Sequence, residues 1–294
     1  MRNDFLFFVG IIVLIFSVWV ASGGPDRPNA FVGPYLHPIT NTATTAQAYG
    51  SGSTYQPINT SWWDGNSTQQ PIASADASPY RSIVSLSRDT RGAIQTSAKS
   101  EYITVNVSLQ GTEPISTTGW KLVSKEHGTS ALFPVGSEIP SSGRVNTLSA
   151  IMLRPGDQAI VTTGRSPVGA SFRENSCTGY LEEHQDFSPS LGLYCPIPSE
   201  EYEGNDDECL NAIRGLPRCV SDVSLSNNAP ASCEEFVQEE LNYNSCVARH
   251  RQDDSFMEST WRIYLGHGSE LWERERETIL LLDANGKTID SLSY

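Results

Sequence analysis

The chain has 294 residues, 38% of them hydrophobic, with a net charge of −14 and a pI near 4.7. It is long enough for one or two globular domains and ordinary in its apolar content. Its charge excludes the common kind of nucleic-acid binder, because no basic patch is available for phosphates.

The charge is unevenly placed. Glu174 to Glu258 carries 18 acids against Arg214, Arg218, Arg249 and Arg251, a balance of −14; residues 1–173 balance to +2 and residues 259–294 to −2. Such an excess reads first as a solvated face.

The chain opens with Phe5 to Ala21, an apolar run behind Met-Arg-Asn-Asp. If helical, it is close to the roughly 20 residues that span a bilayer core. Residues 1–22 are expected to form an uncleaved transmembrane signal anchor; the alternative is a signal peptide cut near Ser22-Gly23. Arg2 and the terminal amine before the run favour a cytoplasmic N-terminus, so in either case the body of the protein leaves the cytoplasm.

Residues 23–95 are rich in Ser, Thr, Gly, Pro, Ala and Gln and lack apolar periodicity, which predicts a disordered tether. Trp62, Trp63 and Tyr80 stand out as candidates to dock on the domain, and Ile83–Leu86 as a possible short strand. Sequons occur at Asn59, Asn66 and Asn106.

From Glu101 the pattern becomes β. Ile103, Val105, Val107 and Leu109 alternate on one face. Predicted strands follow at 119–123, 130–133, 145–153 and 158–162, the last after the turn signal Pro155-Gly156-Asp157. Further strands are predicted at 261–265, 278–282 and 287–292. The last two are joined by Asp283-Ala284-Asn285-Gly286, where Asn-Gly predicts a tight hairpin with positive φ at both residues. The Tyr102–Leu109 strand is the expected partner of this C-terminal stretch. Short strands at such spacing indicate a sandwich or barrel. Trp120, Trp261 and Trp272 are expected in its core.

The order of four pieces, Ile103–Leu109, Gly119–Leu122, Leu153–Val161 and Ile279–Asp290, resembles the lamin tail domain. It is most similar to bacterial membrane-anchored proteins that carry this domain with a cysteine-bearing insertion. The resemblance implies an immunoglobulin-like β-sandwich over residues 96–294 and a tethering or binding role, with no catalytic residues to carry over. Residues 164–258 then form an acidic insertion.

Within that insertion 206–216 and 231–251 show helical spacing, with Cys209, Ile213 and Leu216 on one face of the first and Cys233, Phe236, Val237, Glu240 or Leu241, and Val247 on a similar face of the second. Ala231 or Ser232 is the expected cap of the second helix. The core of such a helical hairpin is too thin to stand without cross-links. All six cysteines (Cys177, Cys195, Cys209, Cys219, Cys233 and Cys246) lie here, an even number that suggests disulfides in an exported protein. An antiparallel hairpin predicts Cys209–Cys246 and Cys219–Cys233, leaving Cys177–Cys195. Pairing of neighbours, Cys209–Cys219 and Cys233–Cys246, stays open if a helix breaks, for instance at Pro217.

No catalytic, cofactor-binding or metal-ligating set emerges. Gly266-His267-Gly268-Ser269 lacks a partnering Gly-x-Ser-x-Gly and reads as a turn. His250 suits a helix C-terminus. The run Glu200 to Glu208 lacks calcium-loop spacing and reads as a loop entering a helix. Glu273 to Glu277 alternates sign, as a protected strand edge would. The expected function is therefore a non-catalytic, membrane-tethered extracytoplasmic binding or anchoring module with an unknown protein or envelope partner. The alternatives are a surface protein with an enzymatic role sited in the insertion and a purely structural envelope component.

Overall fold

The computed structural model describes residues 77–223, 225 and 229–294. The expected transmembrane anchor and most of the expected tether, including Trp62, Trp63 and the sequons at Asn59 and Asn66, lie outside the described residues. Among those described, no helix is long and apolar enough to cross a membrane.

The architecture is mainly β. Strands β1 (Val84–Leu86), β2 (Tyr102–Val107), β6 (Gly136–Ser137), β8 (Gln158–Thr162), β9 (Ser171–Asn175) and β10 (Met257–Tyr264) build a six-stranded sheet in the order β1-β2-β8-β10-β9-β6. Strands β4 (Lys121–Ser124), β5 (Ser130–Leu132), β11 (Thr278–Leu282) and β12 (Thr288–Ser293) build a second sheet in the order β12-β11-β4-β5, and β3 (Ile115–Ser116) pairs with β7 (Met152–Leu153). Alternation sets the packing. In β2 Ile103, Val105 and Val107 are buried while Tyr102, Thr104 and Asn106 are not. They share one hydrophobic cluster with Trp120, Leu122, Trp261, Trp272, Ile279, Leu281, Ile289 and Leu292, so the three tryptophans fill the core as expected.

Several expectations are corrected. The hairpin β11–β12 pairs with β4, through Leu280 opposite Val123, and not with β2. The 261–265 strand is in the other sheet, parallel to β8 and antiparallel to β9. It meets the hairpin across the core, not along an edge. Asn285 keeps a negative φ and only Gly286 turns left-handed, at 76°. The Asp283 carboxylate accepts the amides of Asn285 and Lys287 at 2.8 and 2.9 Å, fixing a turn with one left-handed residue. The 145–153 strand shrinks to Met152–Leu153 behind an exposed loop in which Val145 is 95% accessible. The 273–277 segment is loop, with Glu277 buried as an acceptor from Ser124 and from the Glu273 amide.

Residues 77–95 belong to the folded body and not to a tether. Tyr80 packs on Trp120 at 5.6 Å, β1 pairs with β2, and Val84, Leu86 and Ala93 are buried.

The insertion is also more integrated than expected, because it contributes β9 to the sheet. Its helices are α1 (Pro198–Glu201), α2 (Asp207–Ile213), α3 (Ala231–Glu240) and α4 (Tyr243–His250), with a 3-10 turn at Thr178–Leu181. Asp206 caps α2 by accepting the amides of Glu208 and Cys209. The expected apolar faces are right: Cys209, Ile213, Cys233, Val237 and Leu241 form their own cluster. The single helix over 231–251 is wrong. It breaks at Leu241-Asn242, where Asn242 caps a new helix by accepting the Ser245 amide at 3.1 Å, and the residue before the first helix is Pro230.

That break decides the disulfides, which are Cys177–Cys246, Cys195–Cys219 and Cys209–Cys233. None of the expected pairs forms. Cys209 and Cys233 each sit in the first turn of a helix, so α2 and α3 are joined start to start. Cys246 rides on α4, which packs by the 3-10 turn following Cys177.

Candidate functional site

Strands β8 and β10 run parallel and end together at Thr162 and Tyr264, beside the beginning of the antiparallel β2. Three loops meet over this end of the sheet. One leads into β2 and carries Lys99 and Ser100. The second leaves β8 with Arg165, Ser166 and Pro167. The third, Gln185–Ser188, comes from the insertion. Together with Tyr264 they enclose a cavity of about 500 Å³, a size that suits a small ligand.

The walls are held by the chain's own polar groups. Thr163 and Glu101 tie the first two loops: the Thr163 amide donates to the Glu101 carbonyl at 2.9 Å, and the Thr163 hydroxyl donates to the Glu101 carboxylate. That carboxylate also accepts the amides of Leu271 and Trp272 at 2.8 and 3.3 Å. Burial nevertheless raises its pKa, since desolvation outweighs these donors. Gly164 lies so close to the preceding turn that a Cβ there would sit 2.7 Å from the Ala98 carbonyl oxygen.

The insertion's loop is pinned from both sides. Glu182 accepts the Leu191 amide at 2.7 Å, and Glu183 accepts the Ser221 and Asp222 amides. From below, Arg262 of β10 donates to the carbonyls of Pro189 and Ser190 while pairing with Glu174 of β9; both side chains are under 5% exposed. A second buried pair, Arg173 with Asp157 at 3.1 Å, ties β9 to the turn before β8. Burial raises Asp157 and lowers Arg173, as desolvation of each charge demands.

Two residues of the lining each keep a polar atom closed off from solvent and cavity alike. The Tyr264 hydroxyl and the Gln185 Oε1 are buried without a hydrogen-bond partner, and Tyr264 as a whole is only 8% exposed. Burial pushes the Tyr264 phenol above its ordinary value, so it stays protonated as a donor. Buried polar groups are normally paired.

Two further cavities, each of about 480 Å³, follow from the first in series. One shares Pro167 and Gln185 with it, and the next continues through Ser141, Ser142 and Arg144 to Arg251 after α4. The three linings carry four cations (Lys99, Arg144, Arg165 and Arg251) and a single carboxylate, Asp186. Among the described residues none of the four cations forms an ion pair, a state they share with other surface cations such as Arg81, Lys121 and Lys287, so what sets the groove apart is its local excess of positive charge.

The six cysteines singled out in the sequence are brought together as structural cross-links behind this groove. His250 is clamped between Glu201 and Asp253, at 2.8 Å from each. His267 sits in the turn after β10, and the 200–208 acids lead into α2. No group of described residues has the makings of a metal site. The groove itself escaped sequence reasoning, because its cations are single residues scattered across the chain. No protein-family model matches the chain, and no curated protein matches it either.

Proposed function

We propose that this protein is a non-catalytic, membrane-tethered extracytoplasmic module that binds or anchors an anionic partner of the cell envelope through the groove. The order of the strand motifs supports a lamin-tail, immunoglobulin-like sandwich as its scaffold, and the Phe5–Ala21 run supports the anchor. Three disulfides support an oxidising compartment.

The observation that carries the reading is the gathering of four cations and a single carboxylate over adjoining cavities, in a chain of net charge −14. Elsewhere on this surface acids abound, so the sign of the groove is a local exception. The rest of the molecule repels an anion, and only a site of matched shape and sign retains one.

The test is retention of the full chain, in detergent micelles, on an immobilised anionic polymer. Parent protein is retained at low salt and released as ionic strength rises past about 0.15 M, where screening sets in over about 8 Å. A variant with Lys99, Arg144, Arg165 and Arg251 all changed to Gln passes through. Equal retention of that variant, or no retention of the parent, refutes the reading.

A further inference from the structure

We infer that the groove docks on the surface of an anionic lipid bilayer, with the loop between Gly136 and Ser149 dipping its apolar tip among the headgroups. This partner rests on the reading of the groove as an anion-binding surface on a membrane-tethered body, and narrows that reading to one occupant.

A groove of positive sign suits any polyanion; the apolar side chains beside its cations select a bilayer. Ten large apolar side chains are exposed among the described residues, and six of them fall between Leu132 and Met152. Apolar residues scattered singly over a surface are ordinary, whereas a cluster marks an interaction site. Val145 is the extreme case. It is 95% exposed and follows directly on Arg144, and both line the middle cavity. Ile139, also exposed, lines the next cavity with Arg144 and Arg251. A dissolved polyanion offers nothing to these two side chains. A bilayer offers phosphates to the cations and, just beneath them, acyl chains to the valine and the isoleucine.

The loop is braced to keep these groups out. Its base is closed by two backbone bonds between Gly136 and Ser149, at 2.9 and 2.8 Å. At its tip the Ser141 amide donates to the Asn146 side-chain oxygen at 2.7 Å, across a turn in which Gly143 takes a left-handed φ of 73°. From the insertion, the Tyr243 hydroxyl donates to the Pro140 carbonyl at 2.6 Å. Arg144 and Val145 are thus presented by a held turn, so little backbone entropy is lost when a bilayer covers them.

Charge sets the orientation. In a chain of net charge −14 most of the surface is repelled by anionic lipid, and the excess of cations along the three cavities leaves this face to approach. An N-terminal anchor makes the contact intramolecular, so modest attractions of this kind suffice for docking.

Methyl-detected NMR of the full chain in lipid nanodiscs tests this, with a spin-labelled headgroup lipid to broaden the signals of nearby side chains. Discs of phosphatidylcholine alone are compared with discs that also contain phosphatidylglycerol, and retention of the parent on immobilised anionic polymer is measured alongside. In the anionic discs the Val145 and Ile139 methyl signals are expected to broaden, and in the neutral discs to stay sharp. Arg144→Gln is expected to lower the ratio of docked to free body about fivefold, the share of one cation at an anionic surface. Val145→Gln should lower it about threefold or more, and Val145→Trp should raise it, since Trp favours the headgroup region. Both side chains are exposed, so these changes do not threaten the fold. If the polymer retains the parent but its Val145 signal stays sharp in anionic discs, the bilayer inference is overturned while the anionic groove stands. If the polymer does not retain it either, both fall. Equal broadening in neutral discs, or broadening centred on Leu193 instead, also overturns the inference, since the cations or the loop then take no part.

Discussion

Arg262 is where the groove and the fold depend on the same side chain. Its guanidinium, under 5% exposed, pairs with Glu174 and donates to the carbonyls of Pro189 and Ser190. Arg262→Met removes the charge, keeps most of the side-chain volume, and leaves Glu174 buried without its counter-ion. Breaking a buried pair from one side costs about 3–5 kcal/mol, a large share of a native stability of about 5–15 kcal/mol. For a folded body of this size each kcal/mol moves the melting temperature by about 2–4 °C, so the variant should melt about 6–20 °C below the parent. Glu174→Leu added to Arg262→Met removes the orphaned charge and should recover part of the loss. Recovery stays incomplete, because two carbonyls still lack a donor, at about 1 kcal/mol or more each. Thermal denaturation of the full chain with its disulfides intact, followed by near-ultraviolet circular dichroism, reads both values. A single variant that melts within about 1 °C of the parent refutes the reasoning, as does a double variant less stable than the single.

Three other outcomes are expected. Truncation after Asp283 deletes β12, whose Ile289 and Leu292 are buried and whose Asp290 accepts the Leu86 amide at 2.8 Å, so cooperative melting should be lost; a melt near the parent's contradicts the two-sheet core. Non-reducing peptide mapping should recover Cys177–Cys246, Cys195–Cys219 and Cys209–Cys233, and any Cys209–Cys219 peptide contradicts the start-to-start joining of α2 and α3. Burial alone would lower the His250 pKa, but the hydrogen bonds its imidazolium donates to Asp253 and Glu201 outweigh it and raise the value. The clamp between α4 and α1 is thus fully present below the ordinary histidine pKa of about 6.5 and is lost as pH rises through the raised value. Amide exchange in Tyr243–His250, corrected for its intrinsic rise with pH, should accelerate further as pH climbs above about 6.5 and through the raised value, and His250→Gln should remove that extra acceleration.

What the sequence disclosed follows from how locally each signal is written. Alternation exposed β2, β8 and β11, and helical spacing exposed the buried faces at Cys209–Ile213 and Cys233–Leu241, because each pattern needs only its own residues. β9 was missed for the opposite reason. Ser-Phe-Arg-Glu-Asn reads as a polar loop, yet all five residues are buried, since Asp157 from the turn before β8 and Arg262 from β10 arrive to neutralise Arg173 and Glu174. The disulfide pairing failed at one residue. Asn242 is a competent helix cap in the middle of an apparently continuous helix, and treating it as a cap would have moved Cys246 off the helix of Cys233. β1 was legible as a short strand at Ile83–Leu86 even within the low-complexity sequence around it, because Val84 and Leu86 carry the alternation. The groove had no signature at all: Lys99, Arg144, Arg165 and Arg251 converge only through the packing of loops from the body and the insertion.

The central claim, that these loops form the binding surface, is tested most directly by mapping backbone amide resonances of the full chain in micelles while a soluble anionic polymer such as polyphosphate is added. Binding in the groove predicts shifts concentrated in residues 98–100, 141–145, 164–168, 184–188 and 247–251, with Tyr264 among them. Shifts centred instead on the open β5 edge near Leu132, or on the exposed Leu193 and Tyr194, would contradict it.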